Sequence, residues 1–365
     1  MKKMAQNPFT PVFGNEPPIL AGRELLMRNV LQGLENAPGD PYRVVIFTGP
    51  RGSGKTVLLS KIANEAEACG WIAIHTVAAD GMLADLTDQF ERKGTELLPK
   101  AAKQKLTGVQ AAGFGVSIEN VPEQELGWRT RFDYYLDELE KQGVGLLFTV
   151  DEVTADVPEM ATFVSTIQLF IREKRNIALL MAGLPNEVMQ LYQHKSITFL
   201  RRAFLRKLDP VSRPEVRAAM KKTVELVGRK FETAALETAA VATQGYPFMI
   251  QLIGYHVFNQ SDRKTITMSD VEEGIKGAKE DMENMILIPS LKNLTKTDKK
   301  YLIAMLPDDE ESSIADIAER LQVSASTASH YKRRLIDHGI LYDAGRGLVA
   351  FNMPMMKTLL SEWKE

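Results

Sequence analysis

The sequence predicts an α/β protein in which a parallel sheet carries a phosphate-binding loop, followed by a helical lid and a C-terminal winged helix-turn-helix. Three observations lead there. Apolar runs alternate with helical or polar stretches through roughly the first 210 residues, as expected of a parallel sheet covered on both faces. The glycine-rich stretch GPRGSGKT, Gly49 to Thr56, lies between one of those runs and a helix-like segment. From Thr295 onward the chain reads as three helices and a hairpin, the layout of a winged helix.

The elements follow in order. Buried parallel strands are expected at VVIFTG (44–49), WIAIHTV (71–77), VGLLFTVDE (144–152) and IALLMAGL (177–184), with a helix such as RTRFDYYLDELEK (129–141) between them. Residues 94–120, with scattered glycines and the alternating GFGVSIE, read as an insertion ending in a hairpin. After Asp209-Pro210 the texture changes: Ser212 and Glu215 form an S-x-x-E capping box with Pro214 in the first turn, which starts a helix. From there to about residue 290 helices without strands are expected. The last part is TKTDKKYLIAML, SSIADIAERLQ and SASTASHYKRRLIDHG, then two β-prone arms around Ala-Gly-Arg-Gly. The expected domains are therefore 1–210, 211–290 and 291–365.

Glycines let a backbone bend tightly and approach a ligand closely, and a helix N-terminus offers unpaired N–H groups to phosphate. The spacing G-x-x-x-x-G-K-T is that of a Walker A loop. Gly49, Pro50, Arg51, Gly52, Ser53, Gly54, Lys55, Thr56 and Val57 are accordingly expected to hold ATP or ADP. Lys55 would reach the β- and γ-phosphates, and the Thr56 hydroxyl would ligate Mg²⁺. The run LLFTVDE supplies the matching half, with Asp151 and Glu152 at the C-terminal edge of the sheet, where ligands bind in open α/β folds. Asp151 would hold Mg²⁺ through its water shell, and Glu152 would orient the attacking water.

The balance of the chain, 44% hydrophobic and 25% charged with net charge −2, excludes a strongly basic nucleic-acid binder. Any such contact must come from a local patch. Cys69 is the single cysteine, which excludes an internal disulfide and agrees with a reducing cytosol. No apolar run approaches the ~20 residues of a membrane span, and MKKMAQNPFTP lacks the apolar core of a signal peptide. A cytoplasmic protein with no membrane partner is the expectation. The histidines show no metal-ligand spacing, and the methionines of MPMM (353–356) read as core or interface filling.

The Walker pair, the strand ending MAGLPN, the stretch FLRRAFLRKLDP and TQGYPFMIQ, in this order, resemble AAA+ ATPases of the origin-recognition and STAND kind. PFTPVFGNEPPILAGRE is similar to the N-terminal segment of small bacterial ATP-binding proteins of that group. The resemblance implies a sensor role for Asn186 at the γ-phosphate or attacking water; the residue type alone also suits a helix cap before Glu187. It implies that Arg201 and Arg202 lie near a subunit boundary, where an arginine can complete a neighbour's site in a homo-oligomer; a solvated basic edge is the alternative. It places Pro247 on adenine and Ile19 to Arg23 along the adenine pocket. One departure matters: the helix after Pro247, FMIQLIGYHVF, carries no Arg or Lys where origin-recognition ATPases keep a sensor arginine. That favours a slow switch which retains its nucleotide.

For the winged helix, Ser326, Thr327 and Ser329 lead the recognition-helix candidate, Lys332, Arg333 and Arg334 follow, and Arg346 tips the wing. Short polar residues can reach base edges and basic ones pair with phosphates. Residues 291–365 nonetheless contain eleven Lys+Arg against eleven Asp+Glu. Two function classes stay open: an ATP-dependent regulator that binds double-stranded DNA, and a signalling or assembly ATPase whose winged helix contacts a protein partner. A P-loop kinase is disfavoured, because no acceptor-pocket signature accompanies the lid and winged helix.

Overall fold

The computed structural model describes residues 6–12, 14–94, 127–195, 197–292, 294–353 and 355–362. The hairpin expected at GFGVSIE lies outside these residues.

Strands β1 (Val44–Thr48), β2 (Trp71–Val77), β3 (Gly145–Asp151), β4 (Ile177–Gly183) and β5 (Phe204–Lys207) form one sheet in the order β2-β3-β4-β1-β5. Every pairing is parallel. The central strands carry apolar side chains on both faces because both faces are covered: Ile46, Phe148 and Leu179 enter one core, while Val45, Leu147 and Leu180 enter the other. The parallel arrangement gathers the C-terminal ends of β1, β3 and β4 along one edge, and the functional residues follow those ends.

Sequence reading placed four of these strands to within a residue or two and missed β5. Its sequence, Phe-Leu-Arg-Lys, alternates half-buried and exposed positions at the sheet edge, so it lacks the continuous apolar run that marks its neighbours.

The lid contains helices Arg213–Glu225, Thr233–Ala242, Pro247–Asn259 and Met268–Met282. The expected capping box is formed, with the Ser212 N–H donating to the Glu215 carboxylate at 3.2 Å. The expectation of helices alone needs correction: Lys230–Phe231 and Thr265–Ile266 pair as a short parallel ribbon. Two residues are too few for a strand periodicity to register.

The C-terminal part comprises helices Lys296–Ala304, Ile314–Leu321 and Ala325–Asp337, then the antiparallel hairpin Leu341–Gly345 and Leu348–Phe351. Ser312–Ser313 adds a third strand beside the hairpin. A helix not foreseen, Met355–Glu362, follows it. Met356, Leu359 and Leu360 from that helix share one buried cluster with Met282 and Leu291, so a continuous core links lid and winged helix. Among the described residues no helix is long and apolar enough to cross a membrane.

Candidate functional site

The loop after β1 turns through left-handed backbone at Gly52 (φ 76°) and Gly54 (φ 85°), which favours glycine at both positions. Space is tight at Gly52 as well, while at Gly54 a Cβ would make an ordinary contact. A Cβ on Gly52 would lie 3.1 Å from the Tyr246 ring, and one on Gly54 would meet Pro247 at 3.7 Å. The lid therefore rests directly on the loop. Helix Lys55–Ala68 starts at Gly54 and aims its N-terminus along the loop.

Lys55 Nζ donates to the carbonyls of Gly49 and Pro50, each at 2.8 Å. Burial lowers its pKa to about 8; nearby Arg51 pushes in the same direction, while Asp151 and Glu152 oppose it. The Thr56 hydroxyl donates to Asp151 Oδ2, and Asp151 Oδ1 accepts the Glu152 N–H at 2.9 Å. Glu152 is exposed and holds a positive φ of 50°, an uncommon conformation for a side-chain-bearing residue and one that clusters at functional sites. A hydroxyl and a carboxylate in contact are hard oxygen donors, the set that Mg²⁺ takes from a protein while keeping waters and substrate phosphate as its other ligands. Thr56 and Asp151 fit that ion.

A cavity of about 520 Å³ extends from this loop to the N-terminal segment. Arg51, Gly52, Ser53, Gly54, Lys55, Thr56, Val57, Asp151 and Glu152 line one end, and Ile19 and Pro247 line it further along. Gly49 and Pro50, expected among the nucleotide-holding residues, do not line it; their carbonyls accept from Lys55. Asn186 is not part of the wall. It is the second residue of helix Pro185–Gln193, and its neighbours Leu184 and Glu187 line the cavity instead. Arg201 and Arg202 are exposed at the end of the turn Thr198–Arg202 and do not line this chain's cavity; Arg201 Nε donates to the Tyr192 carbonyl at 2.9 Å.

With this geometry the chain resembles two solved structures over almost its whole length. The Walker-type ATPase PABY2304 of Pyrococcus abyssi has a TM-score of 0.63 at 15% identity, over 94% of this chain and 96% of that one. The Aeropyrum pernix ORC2 protein, solved as ADPNP and ADP complexes, has a TM-score of 0.57 at 15% identity, over 96% of each chain. The fold is that of the AAA+ ATPases. Residues 284–360 match a sequence family described as Domain of unknown function (DUF8462). No curated protein matches the chain in sequence.

Sequence reasoning missed how the α/β core is held from two sides at a single loop residue. The Tyr246 hydroxyl of the lid donates to the Arg51 carbonyl, and the Arg51 N–H donates to the Asn352 carbonyl of the winged helix at 3.0 Å. Burial raises the Tyr246 phenol above its ordinary pKa, so it remains a donor. Asn352 is itself buried and its Nδ2 donates to Gly339 O at 2.9 Å and Leu341 O at 3.1 Å, which fixes it in the winged helix. A lid-to-winged-helix bond, Gln244 Nε2 to Thr358 Oγ1 at 3.0 Å, lies alongside. Helix Pro185–Gln193 also packs against strand Leu341–Gly345. Tyr246 lay inside a motif that the sequence offered; Asn352 carried no signal of its own.

On the winged helix the basic residues divide. Lys332 Nζ pairs with Asp343 Oδ2 at 2.6 Å. Arg334 Nε donates to the buried Asp298 at 2.8 Å, while Asp298 also accepts from Thr295 in a capping box. These two side chains, expected at a DNA backbone, are engaged by carboxylates of their own domain. Arg333 and the wing-tip Arg346 are exposed. Ser326, Ser329, His330 and Arg333 are exposed at the i, i+3, i+4, i+7 spacing of one helix face. Thr327 is half-buried and meets the N-cap Ser324, Oγ1 to Oγ at 2.8 Å.

Proposed function

We propose that this chain is a Mg·ATP-dependent switch that hydrolyses its nucleotide slowly and uses the γ-phosphate to release the winged helix for DNA binding. The observation that carries the reading is the position of Arg51. Its carbonyl is bonded to the lid, its N–H to the winged helix, and its neighbours form the phosphate loop.

In this reading the loop N–H groups and Lys55 receive the β- and γ-phosphates, and Thr56 with Asp151 would hold Mg²⁺. The ion, when bound, neutralises charge on the phosphates. Glu152, exposed at the mouth of the site, orients and polarises the attacking water. The lid helix Pro247–Asn259 contributes no Lys or Arg, so the transition-state charge lacks a lid cation and turnover is slow. Asn186 would approach the water only if helix Pro185–Gln193 shifts. Arg201 or Arg202 would act in trans, completing the site of a second copy.

A γ-phosphate at the loop competes with the Asn352 carbonyl for the same N–H direction and repels it electrostatically. Moving such a two-state equilibrium from 1:99 to 99:1 needs a differential of about 5.5 kcal/mol, within reach of a ligand making several charge-assisted contacts. The face with Ser326, Arg333 and Arg346 is exposed already in the docked arrangement, and release would let the whole domain reorient that face onto duplex. A second reading, a protein partner on that face, is favoured by the internal pairing of Lys332 and Arg334. Titrating labelled duplex at ~50 mM and ~200 mM salt, with ATP and with ADP, separates them. Salt-dependent binding strengthened by ATP supports the DNA reading; absence of binding at the lower salt in both states leaves the protein partner.

A further inference from the structure

We propose that Tyr246 of the lid is a positioning residue: by holding the Arg51 carbonyl it fixes the Arg51–Gly52 peptide, so that the Gly52 N–H faces the cavity as a donor to phosphate. The inference rests on the nucleotide reading of the cavity and adds to it the way in which the lid prepares the loop.

Pro50, Arg51, Gly52 and Ser53 form a β-turn, closed by the Ser53 N–H donating to the Pro50 carbonyl at 3.4 Å. Gly52, the third of the four, has φ 76°, while Arg51, the second, does not have a positive φ. That combination is the type II form. Types I and II differ by a half-rotation of the central peptide, here Arg51–Gly52. Glycine in third place leaves both forms open to the backbone. The glycine spacing that marks the loop therefore does not decide which way this peptide points.

Tyr246 decides it. The peptide is trans, so its carbonyl and its N–H point in opposite directions. Tyr246 is 3% exposed and does not line the cavity, whereas Gly52 does. The phenol, donating to the Arg51 carbonyl, draws that oxygen to the closed side of the loop and leaves the Gly52 N–H toward the open one. Among the described residues that N–H meets no acceptor. The carbonyls of Gly49 and Pro50 are occupied as well, by Lys55 Nζ. Successive N–H groups turned to one side make an anion-binding concavity. A flipped Arg51–Gly52 peptide would set a carbonyl oxygen in it and replace attraction by repulsion.

The phenol is held firmly enough to act this way. Gly245 has φ 73°, and a Cβ there would stand 2.3 Å from the Val211 carbonyl oxygen. The Val211 N–H donates to the Gly245 carbonyl at 2.8 Å, and the Tyr246 N–H donates to the Thr243 carbonyl at 2.9 Å. A lid that swings away takes the phenol with it and frees the peptide. Hydrogen bonds in a chain polarise one another, so the phenol on the carbonyl and a phosphate on the N–H strengthen each other. Phosphate thus tightens the lid contact of Arg51.

The test is Tyr246→Phe, which removes the hydroxyl and keeps the buried ring. Competition against a fluorescent adenine nucleotide measures Mg·ADP and adenosine on wild type and variant. Mg·ADP should weaken by about three- to tenfold, the net worth of one hydrogen bond. Adenosine, which has no phosphate, should bind as it does to wild type. With 4-aminophenylalanine at position 246, which keeps a donor in the same place, Mg·ADP should bind within about twofold of wild type. Equal losses for Mg·ADP and adenosine, or no loss for either, overturn the role of Tyr246 while the nucleotide site stands. Loss of Mg·ADP affinity that the amino residue does not restore overturns it too. Failure of wild type to bind Mg·ADP overturns the nucleotide reading and this role with it.

Discussion

The cavity over the glycine-rich loop and the outer face of the winged helix each offer basic side chains near short polar ones, yet the two regions treat their cations oppositely. Lys55 is half-buried and held by loop carbonyls, with its side chain at the end of a cavity. Lys332 and Arg334 are turned back onto Asp343 and Asp298 of their own domain. The difference lies in what fixes each group. A phosphate loop is mainly backbone, so a local spacing of glycines dictates where its N–H groups and its lysine go. A surface cation goes to whichever carboxylate the tertiary fold brings near, and the partner of Arg334 lies 36 positions away in sequence.

The first way to sharpen the comparison is chemical. Glu152→Gln should retain Mg·ATP and lose about 10²–10⁴-fold in turnover, the contribution of a positioned general base. A single-turnover phosphate-release assay beside a binding titration checks both halves. Lys55→Ala should weaken Mg·ATP by about 10–100-fold, since a charge-assisted contact contributes about 1.5–3 kcal/mol. Unchanged affinity by calorimetry would remove the cavity from its side of the comparison.

On the winged-helix side, Arg334→Ala should destabilise the C-terminal part by about 1–3 kcal/mol, because it strands the buried Asp298 carboxylate. A thermal melt followed by hydrogen exchange in residues 296–337 would register it. A variant that melts like wild type and instead binds duplex more weakly would return Arg334 to the DNA face. Burial by itself raises the Asp298 carboxyl; its bonds from Arg334 and Thr295 outweigh that and hold the pKa below the ordinary aspartate value. Its stabilisation is therefore present above the ordinary aspartate range and is lost as pH falls through the lowered folded value.

Lys55 adds a prediction with two opposed trends. Nucleotide affinity should decline severalfold as pH rises through about 8, where the ammonium loses its proton. Folding stability should move the other way between about 8 and 10.5, because the unfolded chain binds the extra proton there. Lys55→Ala should flatten both profiles. The smallest expected effect concerns the exposed cations: Arg333→Ala with Arg346→Ala should reduce the salt slope of duplex binding by about 2 units.

The same contrast explains what was legible before the structure. β1 to β4, the glycine-rich turn after β1 and the capping box at Ser212 depend on neighbours within a few residues, and their patterns are written locally. β5 is short and half-exposed, and the Lys230–Phe231 ribbon is two residues long, so neither leaves a periodicity. The cavity wall next to Asn186 turned on which residue of one helix start faces inward, and Glu187 does. The bond from Arg51 to Asn352 joins positions 301 residues apart through backbone atoms alone, which no residue type can announce.

The central claim, that nucleotide at the loop governs docking of the winged helix, is tested most directly by a distance across that contact. Cys69 is exposed at the end of the phosphate-loop helix, and Ser329 is exposed on the winged helix. Spin labels on Cys69 and on a cysteine introduced by Ser329→Cys report the separation by pulsed electron resonance. In the Glu152→Gln background, saturating Mg·ADP should give one short distance and saturating Mg·ATP should add or shift to a longer one. Superimposable distributions in the two nucleotides would contradict the account.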